Sequence, residues 1–599
     1  MPDWSYHVVF KPLLSKLSPY HSREFIHRRM NHIASIPFGK ELINFLGREE
    51  SSPLLKKEIQ LITYRNSIGL SGKIDPLLSG TKAFSNLGFG FLEIGPVTKQ
   101  PEVGVKPSRA DGKITFPSKM ESIGLEATLQ KLKLLECNQP LIIRLRGEKN
   151  EIVEMIHSLS SYSDLFIIEY DMIDKLEAFD FQKTKPIYLA IPTNKVDEYL
   201  LGTIPSFISG LVLDESASTN IETHLHALEL IQKQNLSLPI ISVGEIVEPI
   251  DALKLFEAGA NLVMLSGGYV HTGPGLVKRI KEAQLSSSHL ASTPPAYGWF
   301  SYWLFGFLML IGGLIALSVS MTTIILPYDE LFLQMDRASL ALFNERILYF
   351  MAHDRVTLAG TMISGAILYM YLARYGIRSQ LLWAKNAIDI AAIIGFLGIL
   401  LFIGFGYFDW LHLIFWLILA PFYLHGFLKT RHLKGTPKSA NRNNHMVWKQ
   451  ALYGQFAFVL LGFSFILGGI IISYIGITHV FVATDLFYLC MPPETLDTFN
   501  QQLIPVIAHD RAGFGSALLS VGLLVLMISL WGFHQGQKWV WWAYLFGGIP
   551  AFISGLAIHY AIGYTSYIHL LPAYFALVLY LVGLLLSYRF LHLMKEPVS

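Results

Sequence analysis

From Trp299 onward the chain alternates long apolar segments, rich in Phe, Leu, Ile, Gly and Trp, with brief polar connections. No other feature constrains the fold as much. Segments near 299–326, 356–374, 386–407, 410–428, 452–478, 512–534, 538–560 and 569–590 each supply the roughly 20 apolar residues needed to cross hydrocarbon. A backbone in lipid must satisfy its own N–H and C=O groups, so each segment reads as a transmembrane helix. Eight spans return the chain to the side on which it entered. The loops 374–385, with Arg374, Arg378 and Lys385, and 429–449, KTRHLKGTPKSANRNNHMVWK, carry the basic excess. The positive-inside rule makes them cytoplasmic, together with both termini, in a bacterial-type cell membrane.

The membrane half contains an internal repeat. FNERILYFMAHDR (343–355) and FNQQLIPVIAHDR (499–511) share six of thirteen positions, 156 residues apart. The same spacing relates Gly312-Gly313 to Gly468-Gly469 and Asp329 to Asp485, and one residue later Gly406-Tyr407 and His412-Leu413 match Gly563-Tyr564 and His569-Leu570. The expected organisation is two tandem four-helix units, 294–434 and 450–592, each with an external amphipathic segment after its first span. Units with an even number of spans are parallel, related by an axis along the membrane normal. The AHDR motifs present His353, Asp354 and Arg355, and again His509, Asp510 and Arg511. In one reading the aspartates cap the apolar helices that follow, and the arginines meet a neighbouring carboxylate or lipid headgroups. In the other the motifs form matched sites for an ion, a quinone or an external ligand. His412 and His425 share a span, but the second unit keeps only His569, which argues against haem. Asp389, near the end of its span, is expected to snorkel to water.

The first half is charged, with short apolar runs between polar loops. The runs are Ser67–Leu70, Phe91–Ile94, Leu141–Leu145, Leu165–Glu169, Ile187–Ile191, Gly210–Leu213, Ile240–Val243 and Leu262–Leu265. Helical patterns such as Leu125–Leu135, Glu151–Leu159 and Thr223–Gln234 separate them. Eight strands alternating with helices predict an α/β fold, a parallel (β/α)8 TIM barrel over 49–293. Residues 1–48 mix apolar and basic residues at helical spacing, suited to a membrane surface or to closing the barrel floor. The last two strands end at glycines before helices, around Gly244, Gly267 and Gly268. Unpaired amides and the helix dipole at such a place favour a phosphate. The N-terminus lacks a signal peptide's apolar core, which predicts a cytoplasmic barrel. Cys137 and Cys490, the only cysteines, predict neither a disulfide nor a metal site. A net charge of +2 without a basic, aromatic-interleaved stripe predicts no nucleic-acid partner, leaving the lipid bilayer as the expected one.

Several blocks carry a specific resemblance: FGKELI, SIGLSGKIDPLL, LGFGFLEIGPVT, VKPSR and the closing phosphate loops. Over about residues 5–285 the chain resembles the class 2, membrane-associated, quinone-using dihydroorotate dehydrogenases. The resemblance implies an FMN-bearing barrel that oxidises dihydroorotate in pyrimidine biosynthesis and passes electrons to quinone near its N-terminal helices. The flavin contacts it would carry over are Ser71, Gly72, Gly95, Thr98, Gly244, Gly267 and Gly268. The membrane half is no part of that pattern.

The departures fall on the chemistry. Asp75 stands where the family's A-A-G-x-D-K loop has lysine, and Pro96 interrupts its G-T-V-T turn. The orotate-binding N-R-M-G-F-N-N segment is replaced by Ser118–Gly124. Met172 occupies the position of the base serine, and a thioether cannot accept a proton from carbon. Ala190 replaces the flavin-contacting lysine, the A-T-N-T strand end becomes Leu213–Ser216, and Glu245 enters the phosphate loop. The family's lid insert has no counterpart, which would leave hydride chemistry open to water. Asp75, Asp171, Asp174, Asp214, Glu215 and Glu245 are expected to ring the mouth with negative charge, unfavourable to an anionic flavin or orotate by about 1 kcal/mol each. The leading expectation is a catalytically degenerate pseudoenzyme with a sensory, scaffold or regulatory role. The alternatives are an active FMN-dependent dehydrogenase and a transporter-like membrane body regulated by the barrel.

Overall fold

The computed structural model describes residues 2–47, 51–110, 113–117, 119–172, 185–197, 201–202, 204–215, 220–287, 296–398, 400, 407–435 and 438–593. Ser118, Asp174, Ser216 and Gly406 lie outside the described residues. The chain divides into two compact units: Met1–His289 with Pro437–His445, and Leu290–Thr436 with Met446–Ser599.

The first unit is a closed parallel barrel of eight strands. They are β1 (Ile68–Leu70), β2 (Phe91–Val97), β3 (Leu141–Leu145), β4 (Leu165–Glu169), β5 (Ile187–Pro192), β6 (Gly210–Asp214), β7 (Ile240–Val243) and β8 (Leu262–Leu265). Each pairs with its sequence neighbours, and β8 closes on β1 through Val263–Ile68 and Leu265–Leu70. Period-two alternation divides the side chains. Ile68, Leu92, Ile143, Phe166, Leu211 and Val263 face the surrounding helices. Phe91, Ile142, Ile167, Tyr188, Val212 and Met264 fill the interior. Tyr188 fits there because Gly210 leaves room; a Cβ on that glycine would lie 2.4 Å from the ring.

The floor is closed by a hairpin, Lys57–Ile59 with Ile62–Tyr64, not by residues 1–48. Tyr64 is buried against Phe91, with ring centroids 5.5 Å apart. The N-terminal helices meet the loops at the opposite, C-terminal ends of the strands. There Tyr6 Oη donates to Val270 O at 2.5 Å, Lys11 Nζ to His271 O at 2.8 Å, and Arg279 pairs with Asp3 at 3.0 Å. Residues 438–445 strap the same unit: Ile250 N donates to Arg442 O (3.1 Å), and Asn444 N to Glu248 Oε1 (2.8 Å).

In the second unit, among the described residues, seven helices are long and apolar enough to cross a membrane. They are Trp299–Thr322, Arg337–Ile377, Trp410–Thr430, Met446–Ile477, Leu503–Trp531, Lys538–Ile562 and Tyr567–His592. The 386–407 segment is helical over Leu382–Gly398, and residues 401–406 lie outside the described residues. Short helices Pro327–Leu333 and Ala483–Leu489 follow the Trp299–Thr322 and Met446–Ile477 helices. Asn344 and Asn500 have extended backbones, and each side-chain amide donates to the other half: Asn344 Nδ2 to Leu489 O (3.0 Å), Asn500 Nδ2 to Leu333 O (2.8 Å).

Candidate active site

Alternation along the strands aims four charged side chains inward at the barrel mouth: Glu93 of β2, Arg144 of β3, Glu169 of β4 and Asp214 of β6. They line a cavity of 730 Å³ that also takes in Lys73 and Glu215. Arg144 Nε reaches Glu93 Oε1 at 2.6 Å and its Nη1 reaches Asp214 Oδ2 at 3.0 Å. Lys73 Nζ lies 2.8 Å from Asp214 Oδ1 and 3.6 Å from Glu215 Oε1. Glu93 accepts further bonds from Ser71 Oγ (2.9 Å) and Gly72 N (2.7 Å). Burial opposes the charge on Asp214, but Arg144 and Lys73 overcome that and hold its carboxyl at about 2. Burial raises Glu215 above the ordinary carboxylate range, despite the counteracting pull of Lys73 and Ser266.

Glu215 occupies the position that the glycine turns seemed to offer to a phosphate. Its Oε1 accepts from Ser266 Oγ, and its Oε2 is so close to Gly244 that a Cβ there would lie 1.8 Å away. Gly244 has φ +88°, a conformation that favours glycine whatever the ligand. A resident carboxylate on this concavity does not fit an FMN phosphate, since two anions would compete for one set of donors.

The expected acidic ring is therefore largely neutralised from within, because Lys73 and Arg144 stand among its members. Asp75 does not belong to it. It is buried in the loop after β1, where it accepts from Ser79 N (2.8 Å), Gly80 N (3.0 Å) and Thr81 Oγ1 (2.7 Å) and lies 3.3 Å from His27 Nδ1. Asp171 lines the cavity. Thr98 is turned to local bonds, Oγ1 donating to Gln100 O at 2.5 Å. Gly72 and Gly95 are packed together, a Cβ on the first meeting the second's carbonyl at 2.4 Å. Gly267 and Gly268 open the Gly267–Thr272 helix behind Ser266. Met172 ends a short 3-10 turn, Tyr170–Met172, just past β4. Glu93 and Arg144 escaped the sequence reading, although a lone charge inside FLEI and LIIRL marks an inward position near a strand end.

The AHDR residues come together in the membrane unit, though not as helix caps. Asp354 lies well inside the helix Arg337–Tyr371 and Asp510 inside Leu503–Trp531. Each arginine crosses to the other motif: Arg355 Nε to Asp510 Oδ2 at 2.6 Å, Arg511 Nε to Asp354 Oδ2 at 3.3 Å. Each also holds the aspartate of its own short helix, Asp329 at 2.7 Å and Asp485 at 2.5 Å. Tyr407 and Tyr564 donate to those same two aspartates. His353 Nδ1 meets Asp354 Oδ1 at 2.8 Å, and His509 Nδ1 meets Asp510 Oδ1 at 3.1 Å. Asp389 does not snorkel: it is buried, paired with Lys385, and accepts from Tyr302 Oη at 2.6 Å.

No family model matches the chain. Its N-terminal part is similar to proteins named dihydroorotate dehydrogenase (quinone): 25% identical over 336 residues to that of Christiangramia forsetii, spanning 46% of this chain and 98% of that protein. The protein of the same name from Yersinia pseudotuberculosis is 25% identical over 338 residues, with 46% and 98% covered. Among solved structures, the Eimeria tenella enzyme in complex with ferulenol aligns with a TM-score of 0.34 and 17% identity, over 41% of this chain and 90% of its own. The N-terminal 46% of the chain, a closed eight-stranded parallel barrel, is homologous to the quinone-dependent dihydroorotate dehydrogenases, and a helical region capable of spanning a membrane follows it.

Proposed function

We propose that the barrel is a non-catalytic descendant of a dihydroorotate dehydrogenase, serving as a sensory, scaffold or regulatory module on a membrane unit of eight spans, with the barrel and both termini cytoplasmic. The observation that carries this reading is Glu215, whose carboxylate lies against Gly244 and Ser266 while Lys73 and Arg144 are engaged by Asp214 and Glu93. A pocket built to hold two anionic ligands needs cations with free valence, and here internal carboxylates engage both, leaving only Arg144 Nη2 without a partner among the described residues. Met172 at the expected base position supports the same conclusion. Full-length protein purified in detergent should be colourless and release no stoichiometric FMN, and its gene should fail to support a pyrimidine-requiring strain. A flavin absorption band at one FMN per chain overturns the reading.

One observation favours retained redox function. Beneath the N-terminal helices lies a cavity of 390 Å³, mostly apolar, lined among others by Tyr6, Ile26, Met30, Phe84 and Tyr269. Its chemistry suits a quinone ring. Active flavin chemistry would further require Glu215 to leave Gly244. Quinone-analogue protection of this cavity from labelling, together with flavin in the purified protein, would favour this second reading over the first.

A further inference from the structure

Among the described residues, two groups of side chains in the helical unit converge as metal ligands do. His353, His559 and His569 each place one donor atom within 4.8 Å of the other two, and Asp409, His412 and His509 do the same. His353 and His509 are the histidines of the two AHDR motifs, and His412 and His569 are the pair matched in sequence one residue out of that register. His353, His509 and His559 are buried.

The hydrogen bonds fix the tautomers of the first group. His559 Nδ1 is 2.5 Å from Gly555 O, a carbonyl that only accepts, so Nδ1 carries the proton. His353 Nδ1 faces Asp354 Oδ1 at 2.8 Å, and Asp354 is paired with Arg511, so that nitrogen also carries a proton. Both Nε2 atoms are left with bare lone pairs, and they face each other at 2.9 Å. Two acceptors at that distance repel unless a cation lies with them. A ring N–H given to a carboxylate or carbonyl is also the arrangement that orients metal-bound imidazoles. His509 repeats it through Asp510 at 3.1 Å.

The surrounding charge favours a cation as well. Among the described residues, Asp329, Asp354, Asp485 and Asp510 are buried with only two guanidiniums, Arg355 and Arg511, in their ion pairs with basic side chains other than histidine. A proton can bridge two donors; three convergent donors call for a metal. We propose that the helical unit binds two first-row divalent transition-metal ions of the zinc class, one at His353, His559 and His569 and one at Asp409, His412 and His509. Each set leaves a coordination position for water or another ligand. Binding sets the donors at roughly 3.3 Å separations, the spacing of tetrahedral bonds of about 2.0–2.1 Å, which parts the His353 and His559 Nε2 atoms from 2.9 Å.

Full-length protein in detergent, stripped with a chelator, reloaded with Zn²⁺ and desalted, should retain two zinc ions per chain by mass spectrometry. His569→Ala and His412→Ala should each retain one, and the double variant none. Co²⁺ loaded into the unaltered protein should give ligand-field absorption, and zinc-edge X-ray absorption should report imidazole nitrogen; these readouts need no variant to fold. Unaltered protein that holds no more zinc than the double variant, or lacks the cobalt and imidazole signatures, overturns the proposal.

Discussion

The barrel mouth and the helical unit each bury a charged network, and they are balanced differently. At the mouth Glu93, Asp214 and Glu215 face Arg144 and Lys73, and burial raises Glu215 above the ordinary carboxylate range. Burial raises Glu169 as well, which brings the network towards neutrality, and among the described residues Arg144 Nη2 is a buried donor there without a hydrogen-bond partner. In the helical unit, among the described residues, four aspartates share two arginines, and imidazoles lie beside them. The lesson is that ionic residues in a pocket do not by themselves announce a ligand. What matters is whether charge of one sign is left over and whether donors converge on it.

The most severe test of this contrast is Arg511→Met, which strips Asp354 and Asp485 of their guanidinium. Breaking a buried pair costs about 3–5 kcal/mol, so thermal unfolding in detergent should fall sharply. An unchanged midpoint would mean that those carboxylates are not charged in the fold, and the contrast would collapse. Arg144→Met leaves Glu93 and Asp214 without their shared partner at a mouth that admits water; a smaller loss, about 2–3 kcal/mol, should appear in urea unfolding. Glu215→Ala removes the carboxylate from Gly244 and leaves Lys73 with Asp214 as its remaining acidic partner. Affinity for inorganic phosphate should rise about tenfold, worth about 1.4 kcal/mol, by calorimetry. No gain would show that Glu215 is not what keeps the cradle closed.

The smallest effect is a pH dependence with opposite signs at neighbouring residues. Glu215 is raised above 4.5, so its contribution to stability is present at lower pH and lost as pH rises through its folded value. Glu215→Gln cannot ionise and should gain on the unaltered protein between acid and neutral pH. Asp214 is depressed from 3.8 to about 2, so its contribution persists above 3.8 and disappears as pH falls through 2. A difference between Glu215→Gln and the unaltered protein that is flat with pH would remove the proposed asymmetry.

The barrel was legible because its strands are short apolar runs with sharp ends. Leu141–Leu145, Leu165–Glu169, Ile240–Val243 and Leu262–Leu265 form over those same residues. Ends at charged loops, β-branched content and intervening helical periodicity all agree there. Of the eight expected membrane segments, seven correspond, among the described residues, to helices long and apolar enough to span, though not with the expected limits. The AHDR charges interrupt the apolar window, so the Arg337–Ile377 helix reads from sequence as beginning near residue 356. Pairing between the two motifs removes the cost of those charges and lets each helix run through them. That pairing joins positions 155 and 157 residues apart, beyond any local pattern. His559 was invisible for the same reason, having no partner of its own kind in the first half of the repeat. In the sequence Glu215 is one acid among several; only its approach to Gly244 distinguishes it.

The strap at 438–445 bears on how the molecule is made. Asn444 bonds Val247 O and Glu248, and accepts from Arg279 Nη1 at 2.6 Å, yet it is synthesised after the helix Trp410–Thr430 and before Met446–Ile477. The N-terminal barrel, though finished as sequence by residue 289, reaches its final set of bonds only when the ribosome has delivered much of the hydrophobic half. A fragment cut off after the barrel should therefore emerge less resistant to proteolysis than the same barrel in the whole chain, with its first weak point around Val247–Ile250.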